Sequence, residues 1–160
     1  MIGKLSTVGA YHRGLGKVDH YATRSQWHMK GGNLPSSSKE TILLVSQNLF
    51  FIGKVEAQVQ PLGYEVGWAK TQSAFSEFYE SRQPALILVD LEGNESIWTD
   101  ILEEIGRERA TESKVIAFGP HEDVAMLERA RNLGCDLVLN KGEFNRDLPK
   151  IIEKMKVDAD

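Results

Sequence analysis

Five apolar residues in unbroken succession followed at once by a carboxylate, Ala85-Leu86-Ile87-Leu88-Val89-Asp90, constrain this chain more than any other stretch. Continuous apolar runs of that length belong to strands buried on both faces, as in the centre of a parallel sheet. Such a strand needs helices above and below it, and ligands of open α/β sheets bind at the carboxyl ends of the strands. Asp90 therefore stands at the edge where binding and chemistry take place, and it is the first residue that needs a role.

The flanking sequence repeats the same grammar. Thr41 to Val45 is a branched apolar run of strand length, and Asn48 is placed to cap a helix that carries Phe51, Ile52, Val55 and Val59 on one face. Gly63 closes that helix, and Tyr64 to Trp68 alternates as an edge strand does. Ser73 opens a second helix with Phe75, Phe78 and Tyr79 inward, which stops at Gln83-Pro84 because a residue before proline is pushed out of the helical region. After Asp90, Ile97, Trp98, Ile101, Leu102 and Ile105 fall at helical spacing. Lys114 to Phe118 forms the next strand, His121 to Leu133 the next helix with Gly134 beyond it, Cys135 to Leu139 the last strand, and Leu148, Ile151, Ile152 and Met155 mark the last helix. Five strands alternating with five helices predict a parallel sheet covered on both faces. Trp68 and Trp98 read as packing residues.

Charge divides the chain. Residues 1–39 carry six Lys or Arg against Asp19 alone (+5), and residues 40–160 carry thirteen against twenty-two acids (−9), within a total of −4 over 160 residues. An acidic body is a poor surface for neutralising phosphates, so no nucleic acid is expected on it. The first segment holds His12, His20 and His28, six glycines and no sustained period. It reads as a basic, Gly/Ser-containing flexible extension ending in the linker at residues 31–38, or as residues upstream of a start at Met29, and its histidines lack the spacing of a metal site. The folded domain is expected over 40–160. With Cys135 as its one cysteine the chain offers neither an internal disulfide nor a thiolate metal cluster, and Cys135 reads as a small buried residue. No run reaches the roughly 18 to 20 apolar residues of a membrane span, and no secretory core of about 7 to 15 apolar residues stands at the N-terminus. The expected location is cytoplasmic, with no membrane partner.

Over residues 41–156, strand and helix order and several local strings resemble the receiver domain of bacterial two-component response regulators. The strings are Ala85 to Asp90, Gly134-Cys135-Asp136 before the fifth strand, and Lys141 after it, twenty-two residues beyond Gly119. The resemblance implies a flavodoxin-like, doubly wound (βα)5 three-layer sandwich with a five-stranded parallel sheet of order 2-1-3-4-5. It also implies that Asp90 stands where the family carries its phosphoacceptor and Lys141 where it carries its lysine.

The same resemblance exposes departures. Where the family places an acidic pair that holds a divalent cation, this chain has Ser46-Gln47, a hydroxyl and an amide without the negative charge that hard Mg²⁺ demands. The hydroxyl residue of the fourth strand corresponds to Gly119, the switching aromatic to Val138, and the proline after the lysine to Gly142. Asp90 and Lys141 are then expected to form an ion pair that keeps Asp90 ionised at neutral pH, since a neighbouring cation favours the charged form. His121 and Glu92 are candidates for lining a residual pocket, and Lys141 to Glu143 reads as a turn.

These observations favour a degenerate, non-enzymatic pseudo-receiver without cofactor or metal. It would act by contact with a signalling protein through its fourth and fifth helices, where Val124, Met126, Leu127, Arg129 and Lys150 lie, with a homodimer left open. An alternative is an atypical receiver still phosphorylated on Asp90, with Glu92 or another carboxylate replacing the missing pair. A second alternative is a small-molecule sensor using the sheet-edge crevice, where Gly93, Gly119 and Gly142 fall in loops. No Gly-rich dinucleotide fingerprint, P-loop or Ser-His-Asp arrangement supports an enzyme.

Overall fold

The structure, a computed structural model, describes residues 40–107 and 113–157. The extension expected over residues 1–39, with its three histidines and its linker, lies outside the described residues. Five strands alternate with five helices: β1 (Thr41–Val45), α1 (Leu49–Val59) with a 3-10 turn at Gln60–Leu62, β2 (Glu65–Ala69), α2 (Gln72–Arg82), β3 (Leu86–Asp90), α3 (Glu95–Arg107), β4 (Lys114–Gly119), α4 (Val124–Asn132), β5 (Leu137–Asn140) and α5 (Lys141–Val157). The strands form one sheet in the order β2-β1-β3-β4-β5, every pairing parallel. This is the flavodoxin-like arrangement that the resemblance implied. No helix among the described residues is long and apolar enough to cross a membrane.

The period-two geometry of the strands divides the core into two layers. Leu43, Val45, Ile87, Val89, Val115 and Ala117 point to one face, where Phe75 and Tyr79 of α2, Trp98, Ile101 and Leu102 of α3, and Leu127 and Ala130 of α4 cover them. Ile42, Leu44, Leu86, Leu88, Ile116 and Phe118 point to the other, under Phe51, Val55 and Val59 of α1 and Phe144, Leu148 and Ile152 of α5. All five residues of β3 are buried, and the strand is apolar from Leu86 to Val89, as a strand covered on both faces requires, with Asp90 at its end. Phe118 stacks on Phe144 at 3.9 Å between ring centroids and meets Phe51 at 5.5 Å, so one aromatic column ties α1, β4 and α5 together.

Local chemistry sets the boundaries. Asn48 accepts from the backbone N–H of Phe50 at 3.0 Å, Thr71 from that of Ala74, and Gln83 leaves α2 with φ +47° before Pro84. Three expectations shift. The fourth helix begins at Val124 and not at His121, because Asp123 is its N-cap and accepts from Met126 N at 3.0 Å. The last strand begins at Leu137 and not at Cys135, since Asp136 brackets β4: its N–H donates to Val115 O at 2.9 Å and its carboxylate accepts from Val115 N at 2.8 Å. Lys141 to Glu143 is the first turn of α5 and no loop. Asn140 and Glu143 form a reciprocal capping box, with Asn140 N donating to Glu143 Oε2 and Glu143 N to Asn140 Oδ1, both at 2.9 Å.

Candidate functional site

The parallel strands bring Ser46, Asp90, Gly119 and Lys141 to one edge of the sheet. Ser46 is the first residue beyond β1, Asp90 and Gly119 end the adjacent strands β3 and β4, and Lys141 follows β5 directly. Asp90 is only 4% exposed. Its Oδ2 accepts from the Ser46 hydroxyl at 2.8 Å and its Oδ1 from the Glu92 backbone N–H at 3.1 Å. Ser46 Oγ in turn accepts from Asn48 N at 3.0 Å, so the hydroxyl is used as donor and acceptor at once. Its backbone is held as well: Ser46 N donates to Ala69 O, and the indole N–H of Trp68 donates to Ser46 O at 2.7 Å.

The ion pair expected between Asp90 and Lys141 is not made. Lys141 Nζ bonds the carboxylate of Glu92, and it stands 5.2 Å from the centroid of the Phe51 ring. Glu92 is a partly exposed carboxylate that a lysine reaches without full desolvation, whereas Asp90 lies deeper. The shift on the Asp90 carboxyl runs opposite to the one an ion pair would give. Burial pushes the Asp90 carboxyl above the usual aspartate range, and the Ser46 hydrogen bond and the charge of Lys141 only partly offset it.

Above this carboxylate there is little room. The recess beside it is bordered by Ser46, Gln47, Lys70, Asp90, Asn94 and Trp98, and about 10 Å³ is open to water centres, the space of about one water molecule. Gln47 crosses the opening and its Oε1 accepts from Asn94 N at 3.0 Å, next to Gly93. On the other side, a Cβ added to Gly119 would stand 3.2 Å from Leu91 Cβ, because the buried Leu91 already occupies the place a side chain there would take. Of the two candidate pocket residues, neither borders the recess. His121 is 75% exposed and pairs with Glu122, and Glu92 is engaged by Lys141. Val138 is half-buried on β5. Cys135 is partly buried and burial pushes its thiol up to about 12, which leaves it protonated and unreactive at neutral pH.

No protein-family model matches the sequence, and no curated protein matches it. The fold, by contrast, is found among solved structures. A response-regulator receiver domain protein (CheY-like) from Methanospirillum hungatei JF-1 superposes with a TM-score of 0.63 at 26% identity, over 74% of this chain and 95% of that one. The chain has the fold of CheY-like receiver domains. A response regulator from Thermotoga maritima is similar with a TM-score of 0.62 at 19% identity, over 73% of this chain and 97% of that one. The signal receiver domain of an HD domain-containing protein from Pseudomonas fluorescens Pf-5 gives 0.65 at 17%, over 75% and 96%.

A receiver site of the metal-dependent kind needs oxygen ligands, carboxylates foremost, around a hard divalent cation. The residues of this receiver do not fit one. Ser46 and Gln47 are neutral and their oxygens are committed inside the protein, Glu92 is tied to Lys141, and Asp90 is the one carboxylate bordering the recess. Among the described residues no cluster of three His, Cys, Asp or Glu could hold a metal.

Three contributors escaped the sequence reading. Trp68 fixes the Ser46 carbonyl, Asn94 anchors Gln47, and Leu91 fills the space over Gly119. Leu91 carried a signal, an apolar residue continuing a strand beyond its terminal carboxylate. Trp68 and Asn94 carried none, because their contacts span 22 and 47 residues of sequence.

Proposed function

We propose that this receiver domain is a pseudo-receiver: a non-catalytic contact module of a signalling pathway that works without Mg²⁺-dependent phosphorylation of Asp90. The receiver fold supports a role in signal transduction. One observation carries the finer reading: the Ser46 hydroxyl donates to Asp90 at 2.8 Å, an uncharged partner where a metal-dependent receiver carries acidic charge. A carboxylate that is desolvated and hydrogen-bonded inside the protein is a weak nucleophile toward a phosphoryl group without a cation to balance the charge. The atypical phosphorylated reading needs Glu92 or another carboxylate as a substitute; Lys141 holds Glu92, and among the described residues bordering the recess Asp90 is the one carboxylate. The sensor reading needs volume, and the recess admits about one water.

Output would then pass through the surface, in cytoplasm, to a protein partner, with the body 40–160 as the folded unit and 1–39 as an extension. Of the residues proposed on the fourth and fifth helices, Val124, Arg129 and Lys150 are exposed, Arg129 with its charge paired to Glu95. Leu127 is buried in the core and Met126 packs against it, so neither belongs to a contact surface. The test is incubation of the full chain with acetyl phosphate and Mg²⁺, followed by intact-mass analysis and peptide mapping. Unmodified protein is the expected result, and phosphate on Asp90 would reject the reading.

A further inference from the structure

Among the described residues, three buried side-chain atoms have no hydrogen-bond partner in the protein: Gln58 Oε1, the Tyr79 hydroxyl oxygen and the indole nitrogen of Trp98. Gln58 and Tyr79 do not border the recess beside Asp90, and Trp98 does. An indole N–H donates and never accepts. Shut away from water, such a donor destabilises the fold unless an acceptor reaches it. Trp98 is 1% exposed and belongs to the core layer between α3 and the sheet, so turning the ring outward would open that layer. The acceptor has to come to the indole.

The recess supplies the space and the second partner. About 10 Å³ of it is open to water centres, room for about one water molecule. Each carboxylate oxygen of Asp90 accepts one hydrogen bond, Oδ2 from Ser46 and Oδ1 from Glu92 N, and each keeps a further lone pair. The charge on the wall selects the occupant. Asp90 is its one acid and Lys70 its one base, while Glu92 and Lys141 pair with each other outside it. An anion would meet the Asp90 carboxylate, and a cation would meet the Lys70 ammonium and the Trp98 N–H. A neutral molecule that accepts and donates through a single heavy atom meets neither obstacle. Gln47, bonded across the opening to Asn94 N at 3.0 Å, closes the recess over it.

We infer that the recess is a binding site for one resident water, which accepts from the indole N–H of Trp98 and donates to the Asp90 carboxylate, joining α3 to the end of β3. This deepens the pseudo-receiver reading and rests on it, since a divalent cation in the recess would displace the water. Gln47 is the residue that retains it. The test follows the Trp98 indole proton of the isotope-labelled full chain, assigned by comparison with Trp98→Phe. Paired NOE and ROE spectra selective for water should give this proton a cross-peak with the signs of a long-lived bound water and not those of chemical exchange. Asp90→Leu, which removes the acceptor and fills the space, should abolish it. Gln47→Ala should speed exchange of the indole proton with solvent by about tenfold or more, as expected when a local closure is lost. Absence of the cross-peak in the native chain, or its survival in Asp90→Leu, overturns the site, and so does indole exchange indifferent to Gln47→Ala. A saturable shift of the indole signal with chloride at fixed ionic strength would give the recess to an anion and overturn it as well. A saturable shift with Mg²⁺ would remove both the water site and the pseudo-receiver reading, whereas a missing cross-peak without any response to Mg²⁺ would remove the water site alone.

Discussion

Asp90 concentrates two opposing effects, desolvation of its charge and hydrogen bonding to it, and burial is the larger. A carboxyl whose folded value lies above its unfolded one contributes its full stability below the ordinary aspartate value of about 3.9, and loses it as pH rises through the raised value. Asp90→Asn keeps the shape and removes the charge. It should therefore gain stability relative to the native chain at pH 7 to 8 and lose that advantage near pH 4, as thermal unfolding across pH would record. A difference that grows toward acid would mean the carboxylate is stabilised by its partners after all. At Gly119 the effect is steric. Gly119→Ser presses on Leu91 and should destabilise by about 1–3 kcal/mol in denaturant unfolding. Combined with Leu91→Ala, the loss should be smaller than the sum of the two singles, because the smaller side chain makes room for the serine. At this scale the sequence named the residues and misjudged their bonding. That Asp90 and Lys141 stand at one edge of the sheet was legible, but which carboxylate the lysine would choose depends on relative burial, which Glu92 and Asp90 do not reveal from two positions apart in the chain.

Helices and strands were legible where period and capping agreed. α1, α3 and β3 carry long apolar periods, and they lie within a few residues of their expected bounds. β5 and α4 were read two or three residues early, because Cys135, Asp136, His121 and Glu122 have no pattern of their own and are placed by long-range bonds or by the Asp123 cap. α5 was misread at its start, since a capping box immediately after a strand leaves no loop to see. That box is testable: Asn140→Ala should cost about 1 kcal/mol by thermal or chemical unfolding, the usual worth of an N-cap. The aromatic column should matter more. Phe144 is buried against Phe118, so Phe144→Ala should cost about 3–5 kcal/mol and loosen α5 from β4. A loss under ~1 kcal/mol in that variant would mean the stack is not part of the core. Pro149, inside α5, removes one helix hydrogen bond, yet the apolar period of Leu148, Ile151, Ile152 and Met155 that marked the helix in the sequence runs through it.

For the whole molecule, strict alternation of strand and helix left few topologies open, since parallel crossovers are right-handed and need helices on both faces. Among those, the order 2-1-3-4-5 was supplied by the resemblance to receiver domains, and the sheet has it. The surfaces that a contact module would use were not readable, because exposure at Phe50 and burial at Leu127 are set by how α1 and α4 rotate onto the sheet. The central claim concerns the one edge where the strands meet, and it is that a hydrogen-bonded pair, the Ser46 hydroxyl with the Asp90 carboxyl, stands there in place of a cation site. The most direct measurement is a titration of the isotope-labelled full chain with Mg²⁺ and beryllofluoride, following the backbone amide of Glu92, which bonds Asp90. That signal should stay in place at every concentration, whereas a saturable, Mg²⁺-dependent shift of it together with its neighbours at the sheet edge would contradict the account.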